Sequence, residues 1–403
     1  MRILSVFSRA ISYVVAPLKR TVDKLLDRPI VRSNEKIDWS LLWMVLLMTA
    51  FSLLMIYSAS IVYATAYGNP YEFVGKQAVF VTLAGIICLL ASLLPMSVWK
   101  RIMPWYFAVC SLLLVVVLLV GRDINGATRW IHIGPVNVQP SEMFKLAVVL
   151  YLASLFTRKA EVLQHWKKMI KPSMLLVFGL MMVMLQPDFG STVVILAITL
   201  AMLFLAGFPW RYFSVLLAIA AGFFGLAIAI VPYRMARVTA FLDPWADPFG
   251  KGFQLTHSLM AIARGEWFGV GLGASLEKRF YLPEAHTDFI FAIIGEEFGF
   301  FGMLVLVFCY VWLVLRALSI GKQARDLDLT FNAFVANGIG VWVGIQSFFN
   351  IGVNIGLLPT KGLPLPLMSY GGSAVVVMLL CMTLLLRIDY ENRRTMRGYQ
   401  NEG

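Results

Sequence analysis

The chain has 403 residues, of which 60% are apolar and only 14% charged, and its mean hydropathy is +0.79. A soluble domain of that length cannot carry so much apolar surface, so its solvent is lipid. The net charge of +12 falls in short loops beside apolar runs rather than along one aromatic-studded face, which fits a positive-inside bias and argues against a nucleic-acid partner.

Residues 1–38 form a basic N-terminal segment. Its apolar stretch at 3–17, followed by Lys19, Arg20 and Lys24, suits either a short helix on the inner leaflet or a disordered tail. Arg9 interrupts that stretch and no small-residue cleavage site follows, so no signal peptide is expected and the first span directs insertion. Runs long enough to cross about 30 Å of hydrocarbon come next. They lie near 41–60, 76–95, 104–120, 140–157, 172–187, 190–208, 211–231, 289–317, 330–356 and 366–387.

These runs predict an all-α polytopic membrane domain over 39–390, with about ten transmembrane helices and a tail at 391–403. One long periplasmic loop, 232–288, is expected between helices 7 and 8. An even number of spans puts both termini on one side. Most of the 34 Lys and Arg then lie on that side, which makes both termini cytoplasmic. Cys88, Cys110, Cys309 and Cys381 all fall inside spans without C-x-x-C spacing and read as packing residues.

Three outward segments, 61–75, 121–140 and 231–288, are longer and polar, and loops of this kind carry function. The last contains only short amphipathic stretches such as Gln254 to Ala263. Its GVGLGAS run, 269–275, lacks a preceding strand and reads as an outer turn rather than a phosphate cradle. No repeat and no inverted pair of interrupted spans marks a secondary transporter.

Ionisable groups at the membrane are costly and so point to function. They comprise Lys76, Glu142, Lys145, Asp188, Asp288, Glu296, Glu297 and Lys361, with Arg129, Arg234, Arg237 and Arg264 in adjoining loops. Gln139, Glu142 and Lys145 fall in one helical stripe; Glu142 and Lys145 form either a self-satisfied internal pair or a substrate contact. Asp188, after Pro187, suits a helix N-cap. Asp288, where the loop meets the eighth span, is either a first-turn helix stabiliser or a general base whose pKa burial raises and nearby cations lower.

The four histidines, His132, His165, His257 and His286, have no zinc-ligand spacing. A divalent cation, Mg²⁺ or Mn²⁺, bridging a substrate pyrophosphate stays open. An outward-facing site lacks nucleotide donors, so a synthetic reaction there needs a donor already activated, and lipid-pyrophosphate sugars fit. Arg129, Lys145, Arg237, Arg264 and Lys361 could neutralise the leaving pyrophosphate.

Five segments carry a resemblance: GATRWIHIGPVNVQPSEMFKL (126–146), QPDFGST (186–192), RVTAFLDPWADPFGKGFQL (237–255), YLPEAHTDFIFAIIGEEFG (281–299) and LLPTKGLPLPLMSYGGSA (357–374). In this order they resemble the SEDS family of peptidoglycan polymerases, and within it the cell-division branch. The resemblance implies a ten-helix fold that polymerises lipid II outside the bacterial cytoplasmic (inner) membrane at the division septum. It also implies work beside a cognate class B penicillin-binding transpeptidase and other divisome membrane proteins.

Asp288 matches the family's proposed catalytic aspartate, and Trp130, Gln139, Glu142, Lys145 and Asp188 lie in family motifs. Arg237 and Lys361 are the further substrate-binding candidates. The implied reaction is an inverting transfer with Asp288 as general base. The alternative activity is a lipid II flippase.

Overall fold

The computed structural model describes residues 37–121, 128–133, 136–158, 163, 166–360 and 362–398. Twelve helices account for nearly all of it: α1 (Trp39–Ala66), α2 (Glu72–Leu93), α3 (Met96–Val120), α4 (Pro140–Arg158), α5 (Trp166–Leu185), α6 (Phe189–Leu205), α7 (Trp210–Ala229), α8 (Pro232–Leu242), α9 (Phe253–Gly265), α10 (Ile290–Asp326), α11 (Thr330–Asn354) and α12 (Gly372–Met396). Nine are long and apolar enough to cross a bilayer, and α6, with 17 residues, is the shorter tenth. At about 1.5 Å per residue even α6 covers roughly 25 Å, close to the hydrocarbon thickness. The all-α, ten-span expectation therefore holds, and residues 1–36 and 399–403 lie outside the described residues.

Helix ends follow local chemistry. Asp38 caps α1 by accepting from the Leu41 amide at 3.2 Å, Glu72 sits in the first turn of α2, and prolines open α4 and α8. The centre is built on α4, whose apolar window is 78% buried, against 6% for α7. A helix apolar on all sides is either core or lipid-facing; α4 is the first and α7 the second. Around α4 pack α3, α6 and α11, while α10 lies along α11 and α12 along α2. At the end of the bundle where α1 begins and α12 ends, Arg316 joins Asp38 and reaches Asp389 at 4.0 Å, and Arg393 joins Asp389 at 2.6 Å. These pairs tie α1, α10 and α12 together.

Three features depart from the expected spans. The 121–140 segment contains a small antiparallel hairpin, β1 (Ile131–Ile133) with β2 (Val136–Val138). The last span starts at Gly372 rather than 366, because 362–371 is an ordered non-helical loop packed into the bundle. The eighth span does not run on from Phe289: Gly299 breaks α10 at φ 68° and ψ −165°.

Residues 290–297 before that break are buried, and the side chains after it, Phe300, Phe301, Leu304, Val305 and Phe308, are exposed. Backbone groups freed at a break inside a membrane protein need protein partners. They find them in the long loop: Val270 N–H donates to Glu296 O at 2.9 Å, Gly271 N–H to Glu297 O at 3.1 Å, and Phe300 N–H to Glu266 O at 2.8 Å. The Gly269–Ser275 run thus bonds to α10, consistent with a turn rather than a phosphate cradle.

Candidate active site

The long loop is folded onto the bundle by the carboxylates of the Gly295-Glu296-Glu297 run. Glu296 accepts from Ser275 Oγ, from the Leu276 amide at 2.9 Å and from Arg264 at 3.4 Å. Glu297 takes Lys278 Nζ at 2.7 Å and Ser58 Oγ at 2.7 Å. His257 Nδ1 meets Glu277 at 2.6 Å. These charges are mutually satisfied, so Glu296, Glu297 and Arg264 hold the loop in place.

That frame delivers Asp288 on the two residues preceding α10. The main-chain carbonyl of Asp288 accepts from Asn350 Nδ2 at 2.8 Å and Asn354 Nδ2 at 3.0 Å, both on α11. Asn354 Oδ1 takes the Ala292 amide at 3.1 Å, and Asn350 Nδ2 also reaches Leu363 O at 2.7 Å. One residue earlier, Thr287 O accepts from Ser369 Oγ, and His286 O accepts from the Tyr370 amide at 2.9 Å. The backbone at 286–288 is therefore fixed from two sides, by α11 and by the 362–371 loop. Sequence reasoning missed this clamp; polar Asn350 and Asn354, four apart inside an apolar run, were its only signal.

The Asp288 side chain does not cap α10, whose N-cap is Phe289 without any side-chain cap bond. Its carboxyl is half-buried beside Gly362, where a β-carbon would come within 2.9 Å of Oδ2. Burial, seconded by the Glu284 carboxylate, pushes its pKa from 3.8 up to about 7; Arg129 and Arg237 oppose the rise, and Asp188 adds to it slightly. Burial lowers the neighbouring His286, whose ring rests on Phe73 with centroids 4.5 Å apart.

Asp188 is the N-cap of α6, accepting from the Ser191 amide at 3.1 Å. It also accepts from Ser141 Oγ at 3.0 Å and Gln139 Nε2 at 3.3 Å, and lies 4.0 Å from Arg129, which bonds to Pro187 O. Capping accounts for Asp188, and the cap also positions Arg129. Arg237, on α8, donates to Thr360 O at 3.2 Å. Arg129, Asp188, Arg237, Glu284 and Asp288 thus share one electrostatic environment, to which the opening of α4 contributes Gln139 and Ser141. Trp130 is half-buried immediately before β1. Lys361 lies outside the described residues.

Of the two readings of Glu142 and Lys145, the geometry is that of the internal pair. Their ion pair is 2.7 Å long with side chains 2% and 0% exposed, and Lys145 also donates to Gln346 at 3.1 Å and lies over the Trp342 ring. Gln346 in turn accepts from Trp342 Nε1 at 2.7 Å and donates to Pro364 O at 2.8 Å. Glu142 lines a cavity of about 10 Å³ beneath the 364–369 loop, room for about one water. The pair supports the loop that faces Asp288 and does not itself reach the open side of the site. A charge sealed this way stays only because its partner is sealed with it.

No group of three or more His, Cys, Asp or Glu suited to a metal ion occurs among the described residues. Among the acidic groups near Asp288, Asp188 is taken up by its cap and by its hydroxyl, amide and guanidinium neighbours.

Comparison with known proteins agrees with this architecture. Residues 38–394 match the family model of the FtsW, RodA and SpoVE cell cycle proteins. The chain is 61% identical to a probable peptidoglycan glycosyltransferase FtsW of Neisseria gonorrhoeae (strain NCCP11945), covering 94% of this chain and 90% of the relative. It is 47% identical to the corresponding protein of Aromatoleum aromaticum, covering 94% of each. Among solved structures, a chain described under the structural coordination of polymerization and crosslinking by a peptidoglycan synthase complex superposes with a TM-score of 0.72. That match has 30% identity over 88% of this chain and 98% of the other. The rod shape determining protein RodA of Thermus thermophilus superposes with a TM-score of 0.65 at 26% identity, over 91% and 98% of the two chains. With its ten spans, clamped loop and nearly full-length relatives, the chain belongs to the FtsW/RodA/SpoVE (SEDS) family, as an FtsW-like member.

Proposed function

We propose that the chain is a peptidoglycan glycosyltransferase that polymerises lipid II during cell division, with Asp288 as general base. The observation that carries the role of Asp288 is its setting, on a backbone clamped by Asn350 and Asn354 and within electrostatic reach of Arg129 and Arg237, where burial pushes the carboxyl up to about 7. A base is most effective when its pKa lies near the working pH. Asp288 removes the proton from the acceptor sugar's 4-hydroxyl as that oxygen attacks the donor's anomeric carbon. The new C–O bond forms while the anomeric bond to pyrophosphate breaks, and its electron pair leaves with the polyprenyl pyrophosphate. One displacement inverts an α-linked donor to a β-1,4 product and needs only one carboxylate.

Arg129 and Arg237 neutralise the leaving pyrophosphate, with Lys361 as a further candidate, while Trp130 and Gln139 line the approach. Asp188, Glu142 and Lys145 act by positioning. A Mg²⁺ or Mn²⁺ accompanying the pyrophosphate would draw most of its ligands from phosphate and water. The site faces outward from the bacterial inner membrane, residues 1–38 and 391–403 lie in the cytoplasm, and a class B penicillin-binding transpeptidase and other divisome proteins work alongside. The test is a lipid II polymerisation assay on purified protein with its partner. Asp288→Asn should lower the rate by about 10² to 10⁴; near-wild-type polymer, or lipid II transport without polymer in wild-type vesicles, overturns the reading.

A further inference from the structure

The chain leaves α7 in a way that fixes where α8 lies. Helix α7 has 20 residues, enough to cross about 30 Å, and Phe213 is its only buried residue. Pro232 then forbids continuation: the residue before a proline is held extended, and Val231 is, at φ −102° and ψ 108°. From Ala229 to Pro232 the chain can travel no more than about 11 Å at ~3.8 Å per Cα step. Helix α8 therefore starts at the membrane boundary.

Its two sides differ. Arg237 faces the bundle through Thr360 O, whereas Met235 and Leu242, seven residues apart and so on one helical face, are 41% and 74% exposed. The same exposure continues through the turn after it, with Trp245 at 57% and Phe249 at 89%, the most exposed large apolar side chain among the described residues. On this face Thr239 Oγ1 donates to Ala236 O at 2.9 Å and so carries no unpaired donor outward. The main neighbours of α8 among the helical elements are α7 and the 244–246 turn. The exposed face thus lies on a helix separated by two residues from the exposed helix α7.

We propose that α8 and the following turn are an interfacial segment that inserts Met235, Leu242, Trp245 and Phe249 into the adjoining lipid leaflet. An amphipathic helix at the boundary buries its apolar face at headgroup depth, and tryptophan prefers that level. Because the opposite face carries Arg237, the leaflet sets the height at which this guanidinium meets Thr360 and the site.

The test uses full-length protein in phospholipid nanodiscs, with Cys88, Cys110, Cys309 and Cys381 replaced and a nitroxide on Trp245→Cys or Phe249→Cys. Leu304→Cys on α10 serves as the lipid-facing standard. Power saturation should show both labels relaxed more by oxygen than by a water-soluble nickel chelate, as at Leu304→Cys. Stronger relaxation by nickel at both positions overturns the proposal. So does protection that appears only when the partner transpeptidase is added, which would make this face a protein contact. The measurement needs no catalysis, so it stands or falls separately from the proposed reaction.

Discussion

Asp288→Asn should inactivate the protein and stabilise it at once. Raising a carboxylate from 3.8 to about 7 corresponds to ~4 kcal/mol at 1.36 kcal/mol per unit, and solvent reaching a half-buried group reduces this to roughly 2–4 kcal/mol. The folded state holds this proton more tightly than the unfolded chain. The penalty is therefore absent below about pH 4, grows as pH rises through the interval, and is constant above about pH 7. Asparagine removes it, so the variant's melting temperature should exceed wild type at pH 8 and match it near pH 4.

Activity follows the same titration in the other sense. A base must be deprotonated, so kcat/KM should rise with pH and level off above about 7. Arg129→Gln, which removes a cation that lowers the pKa, should move that limb upward, and Glu284→Gln should move it downward. Binding of a pyrophosphate neutralises the arginines, so the limb in kcat should lie above that in kcat/KM. The assay is polymerisation of labelled lipid II in buffered detergent or nanodiscs from pH 5.5 to about 9. A profile flat across this range, or limbs unmoved by both charge variants, refutes the assignment of Asp288 as base.

Asn350→Ala deletes the donor to Leu363 O and one of the two donors to Asp288 O, which keeps Asn354 Nδ2; leaving the buried Leu363 carbonyl unpaired costs about 1–3 kcal/mol, and steady-state kinetics should show kcat falling by roughly 10- to 100-fold with KM little changed. Gly362→Ala places a methyl 2.9 Å from Asp288 Oδ2, so activity should drop while thermal melting barely moves; equal losses of both would refute the crowding argument. Lys145→Met strands the buried Glu142 carboxylate and should destabilise by about 3–5 kcal/mol, whereas Glu142→Gln combined with Lys145→Met should regain most of that in a double-mutant cycle. If the double variant folds like wild type yet shows no polymerisation, the pair has a direct role in the reaction after all.

What could be read from the sequence and what could not divides along physical lines. Span number and order were legible because each span needs its own apolar run, and hydropathy is additive along the chain. Asp188 was legible as a cap because capping is local: the carboxyl follows Pro187 and serves an amide three residues on. Glu142 and Lys145 were legible as neighbours but not in function, since i,i+3 spacing fixes their meeting and says nothing about burial beneath the 364–369 loop.

The least legible element is the break at Gly299, and it determines where Asp288 sits. An apolar pattern from Phe289 onward, interrupted only by Glu296 and Glu297, predicts one continuous span with Asp288 at its outer end. Without the break, the backbone groups of 296–301 would stay inside the helix, and the 266–271 strip of the long loop would lose its partners. Glycine at φ 68° permits the turn, and a β-carbon there would run into the Gly269 and Phe268 amides. The loop is thereby sewn to α10, and residues 290–297 pack as buried core behind Asp288 rather than as lipid-facing span. A long-range backbone pairing of this kind leaves no periodic signature, only a glycine two positions after two adjacent glutamates that each hold a loop residue. Asp288 can keep a perturbed pKa because this packing denies water to one side of it while the Asn350–Asn354 clamp keeps its carbonyl satisfied.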